Sequence, residues 1–81
     1  MKGIVKGISH CGIRVAVLTD YGYTVFDIYS GEASIGDVLI GNLDEHGELE
    51  LKNLNTGDYL DVFIEAIHAT RDTAIQLLQS I

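Results

Sequence analysis

The sequence predicts a small all-β barrel of five or six strands with a short C-terminal helix, and three observations carry that expectation. Apolar and polar residues alternate with a period of two through most of the 81 positions, outrunning helical periodicity. The predicted strands are short and recur about every ten residues, the spacing of small sandwiches and barrels. Nine glycines are spread along the chain, roughly one to each corner, and there is no proline, so the turns are built from Gly, Asn and Asp.

Residues 3–9 form the first predicted strand, with Gly7 at a bulge. After a turn at His10-Cys11-Gly12, Ile13, Val15 and Val17 alternate with Arg14, Ala16 and Leu18 in a second strand. Asp20-Tyr21-Gly22 is a tight connection into the third strand, the segment on which the rest is organised. There Thr24, Phe26 and Ile28 take one side, and Tyr23, Val25, Asp27 and Tyr29 the other. Both sides can bury apolar surface, which places this strand centrally. Residues 30–34 form a loop with room for one helical turn. A fourth strand spans 38–43, a polar turn follows at Asp44-Glu45-His46-Gly47, and a fifth strand runs from 48 to 54. In that strand Leu49 and Leu51 face in while Glu48, Glu50 and Lys52 face out. Residues 59–67 fit both a helical stripe (Leu60, Phe63, Ile64, Ile67) and a strand (Leu60, Val62, Ile64, Ala66). The β-branched Val62, Ile64 and Ile67 favour a strand here. A helix is expected over 71–79, capped by Thr70 and favoured by Asp72 in its first turn.

Length and composition describe one domain, residues 1–81, near the size at which a single core just suffices. An apolar fraction of 47% with 21% charged residues argues against disorder. No apolar run reaches the ~20 residues that span a bilayer, so no membrane association is expected. A lone cysteine, Cys11, and the charged start Met-Lys-Gly-Ile-Val-Lys fit a cytoplasmic protein. The formal net charge is −7. It is uneven: residues 1–30 carry Lys2, Lys6 and Arg14 against Asp20 and Asp27, a net +1. Residues 44–65 carry seven carboxylates against Lys52 alone, a net −6. Such a half repels phosphates and suits a basic protein surface, or serves simply as a solvated exterior.

The order Gly3-Ile4-Val5, Gly12-Ile13-Arg14-Val15, Ile35-Gly36-Asp37-Val38 resembles the OB barrels of ribosomal and cold-shock RNA-binding proteins over residues 3–54. The resemblance implies an OB-like barrel and a single-stranded RNA or DNA ligand. Members that bind RNA place aromatic and basic residues near the start of the second strand. This chain has Gly12, Ile13, Arg14 and Val15 there, and its aromatics begin at Tyr21, which counts against nucleic acid.

No residue set forces a chemistry. His10, Cys11, His46 and His68 lack the spacing of a metal site, and His10 is badly placed to activate its neighbour Cys11, so neither metal nor cofactor is expected. The paired carboxylates (Asp44 with Glu45, Glu48 with Glu50, Asp58 with Asp61) lie in turns or at outward positions, where nothing raises one pKa above the other. The expected role is therefore a non-enzymatic binding or adaptor domain acting through protein contact. Its expected faces are Tyr21, Tyr23 and Tyr29, with Arg14 beside them, and Asp58, Asp61 and Glu65. The alternative is a single-stranded nucleic-acid binder stacking bases on the tyrosines. An exposed tyrosine strand or an open barrel edge could also pair with a second copy.

Overall fold

The computed structural model describes residues 1–80. Six strands close into an antiparallel barrel: β1 (Lys2–Ile8), β2 (Arg14–Thr19), β3 (Gly22–Ser30), β4 (Val38–Ile40), β5 (Gly47–Asn53) and β6 (Tyr59–Ala69), followed by α1 (Arg71–Gln79). Around the wall the order is β1-β2-β3-β6-β5-β4, with β4 returning to β1. The β4 seam is short: β4 pairs β1 only at Lys2, Gly3 and Ile4, and β5 only at Lys52 and Asn53.

Alternation fills the barrel. Val5, Val15, Val17, Phe26, Leu39, Leu51, Leu60, Val62 and Ile64 point inward and form one fully buried cluster. Leu43 completes it from outside the ladder. The fourth strand is shorter than expected because the chain turns after Ile40; Leu43 then folds in as a plug. The Thr24 hydroxyl donates to the Leu43 carbonyl at 2.7 Å and fixes the plug's depth. Gly3 makes room for it, since a Cβ there would stand 3.0 Å from Leu43 Cδ1.

The third strand buries both sides, as its pattern predicts: Phe26 faces the barrel, while Val25 joins Ala16 and Ala74 in a second cluster under α1. The expected bulge lies between Val5 and Gly7. The segment 59–67 is strand, and β6 runs on to Ala69 through an irregular pairing with β3. That extension places His68 at φ 51°, a left-handed conformation few residues other than glycine adopt. Residues 31–37 form a loop without a helical turn. Helix α1 spans 71–79 with Thr70 as its N-cap, the hydroxyl accepting from Thr73 N at 3.2 Å.

Candidate functional site

The three tyrosines do not share one face. Tyr21 sits in the β2–β3 turn with its ring against His68, centroids 5.7 Å apart. Tyr23 is half-buried beside α1. Tyr29 lies at the far end of β3 and is 67% exposed. Strand alternation put Tyr23 and Tyr29 on one side in sequence, with Tyr21 in the turn before them; the length of β3 and the helix over its middle separate them.

Arg14 is engaged in holding the fold. Its guanidinium grips Asp27 with Nε to Oδ1 at 2.7 Å and Nη2 to Oδ2 at 3.2 Å. Its Nη1 donates to the Leu77 carbonyl and the Ser80 hydroxyl, each at 3.2 Å. Helix α1 has no basic residue in its own last turn, so Arg14 supplies from the barrel wall the positive charge its C-terminus favours. The hydrogen bond to Asp27 holds the guanidinium protonated, and Glu65 adds to the same field.

The acidic residues are brought together. Asp61 and Glu65 are exposed on β6, and Glu48 and Glu50 are exposed on the neighbouring β5. The register sets Glu50 directly opposite Asp61, and Glu48 opposite the half-buried Phe63. Tyr29, Glu48 and Asp61 line an open cleft of about 290 Å³ with Leu49 and Val62 in its floor. Asp58 stands apart, in the turn before β6, where its carbonyl accepts from Asn53 N at 2.8 Å. The single cation of this region, Lys52, lies 5.7 Å from the centroid of the Tyr59 ring. A like-charged pair directly across two strands is destabilising. The sequence suggested Glu48 with Glu50 and Asp58 with Asp61 as neighbours. The pairing that matters, Glu50 with Asp61, depends on a register that only the folded barrel fixes.

The remaining reactive groups do not converge. Cys11 is exposed, 3.4 Å from the Ser9 hydroxyl, which lowers its pKa with help from the backbone amide of Ile13. No three His, Cys, Asp or Glu side chains are placed to hold a metal among the described residues. Among those residues, too, no helix is long and apolar enough to cross a membrane.

Barrel and face together define a small closed antiparallel barrel carrying an acidic, aromatic patch on one wall. Comparison with known protein families, with curated proteins and with solved structures finds no match for this chain.

Proposed function

We propose that the protein is a non-enzymatic protein-binding module whose contact face is the outer wall of β5 and β6 with Tyr29, and whose partner presents a basic surface. One observation carries this reading: Glu50 and Asp61 face each other across the ladder, and among the described residues neither forms a salt bridge, Lys52 lying two pairs along, opposite Tyr59. A wall selected for stability alone would place a lysine in one of those positions. Retaining repulsion there fits a face completed by a partner's positive charge, with Tyr29 and Phe63 as its apolar component.

A nucleic-acid ligand on an OB-type barrel is the second reading. Such barrels bind oligonucleotides on the face of their second and third strands. Here α1 covers that face over Ala16 and Val25, and Arg14 is tied to Asp27. The exposed wall carries carboxylates, which oppose the phosphate term that drives such binding.

Affinity capture with the immobilised protein separates the two. The expected result is a basic protein retained by the parent and by Lys2→Glu, but lost with Glu50→Lys/Asp61→Lys and weakened by Tyr29→Ala. Equal retention by the charge-reversed variant refutes the face. Retention of a labelled single strand at low salt, falling steeply as salt rises, would favour the nucleic-acid reading instead.

A further inference from the structure

Helix α1 packs its Ala74 onto Ala16 and Val25 of β2 and β3, and a trough remains on its β1 side. Its deeper part, about 240 Å³, is lined by Gly7, Ala16, Ala74, Ile75 and Leu78, with Lys6, Arg71 and Tyr23 at the polar margin. A second cleft of about 420 Å³ continues it, sharing Ile75 and Leu78 and ending at Ser9, His10 and Gln79. The helix is nine residues long, so the trough runs for about 13 Å.

Its depth comes from small residues. Gly7 has no Cβ; one there would stand 2.6 Å from Leu78 Cδ1, so glycine is what allows the Leu78 side chain to lie against β1. Its charge runs against the rest of the molecule. In a chain with twelve side-chain carboxylates and five Lys and Arg, two of those five reach this margin, and among the described residues no carboxylate lines either cleft. Neither Lys6 nor Arg71 is paired with a carboxylate among the described residues, whereas Arg14 nearby is taken by Asp27.

The geometry points to a binding site for a small amphipathic monoanion, a carboxylate on an unbranched apolar chain. Its head would lie between Lys6 and Arg71 with Tyr23 in reach, and its tail along Ile75 and Leu78. An inorganic anion would leave the apolar floor uncovered, and a neutral alkane would leave both cations unused. The trough is separate from the β5–β6 face, so the two assignments stand or fall independently.

Monomeric decanoate and octanoate, with 1-decanol as the neutral control, test this by amide chemical-shift titration. Decanoate is expected to shift Gly7, Ala16 and Ala74 and to bind roughly tenfold more tightly than octanoate, since each buried methylene contributes up to about fourfold. Lys6→Gln/Arg71→Gln, at two exposed positions, is expected to weaken decanoate at least tenfold and leave decanol unchanged. Equal decanoate affinity in that variant, equal affinity for decanol, or shifts confined elsewhere would overturn the assignment. So would sedimentation with anionic phosphatidylglycerol vesicles in place of binding to the monomeric acid.

Discussion

Asp37 shows how one side chain can hold two loops. Its Oδ2 accepts from the buried amide of Asn53 at 2.8 Å and from the Ser34 backbone at 2.9 Å. Asn53 in turn caps its own turn, its Oδ1 accepting from Asn55 N at 2.9 Å. The Asn53 bond first, then the Ser34 amide, lowers the Asp37 pKa below the ordinary aspartate value. A depressed carboxylate adds stability that is fully present above the unfolded-state pKa and is lost as pH falls through the folded one. Asp37→Asn keeps an acceptor oxygen but cannot ionise. In urea titrations from pH 6 down to the acid limit, that variant should lose stability with a shallower slope than the parent. Identical slopes would mean that Asp37 ionisation is not coupled to folding. The motif Ile35-Gly36-Asp37 was visible in the sequence as a turn into a strand. Its partner was not, because Asn53 lies sixteen residues on and meets it only when β4 and β5 pair.

At the level of elements, local pattern and long-range register part company. Propensity and alternation located β3, the switch at Thr70 and the whole of α1, because each follows from residues within one turn or one pleat. Leu43 was missed as a plug: two alternating steps beyond Leu39, across Gly41, it continues the fourth strand by pattern, and only the barrel's open end gives it somewhere else to go. The extension of β6 through His68 escaped for a similar reason, since a left-handed histidine carries no signal at that position. The acidic wall was half legible. Outward Glu48 and Glu50 followed from alternation, but their opposition to Phe63 and Asp61 required the β5–β6 register. That opposition predicts a trade of stability against function. Glu50→Lys converts a repulsive cross-strand pair into an attractive one, a change of about 0.2–1 kcal/mol. Glu45→Lys makes the same change in net charge at an exposed turn position and controls for it. In thermal melts at low salt Glu50→Lys should stand several degrees above Glu45→Lys, and the gap should shrink as salt rises. If the two melt together, Asp61 does not feel its opposite neighbour, and the main support for a basic partner is gone.

The whole molecule sets how much any one residue can matter. At 81 residues the total stability is about 4–12 kcal/mol. The barrel order places β1 directly across from β6, so the exposed Lys2, Ile4 and Lys6 point away from the exposed Asp61 and Glu65. On the proposed reading this polarity orients a charged partner before contact. The interior is apolar apart from the buried side chains of Ser9, Thr24 and Asn53. That interior is closed at one end by Leu43, which no strand contains, yet whose side chain is fully buried against Val17 and the rest of the core. Truncating a buried leucine costs about 2–5 kcal/mol, toward the upper end where the site cannot collapse. Here the plug's backbone is held by the Thr24 hydroxyl and cannot follow the void inward. Leu43→Ala should therefore remove up to half of the folding free energy, read as a fall of about 1–2 M in the urea midpoint. Ile35→Ala, at a residue 63% exposed in the neighbouring loop, should leave that midpoint nearly unchanged. If the two variants unfold alike, the barrel is closed by something other than Leu43, and the short fourth strand needs a different explanation.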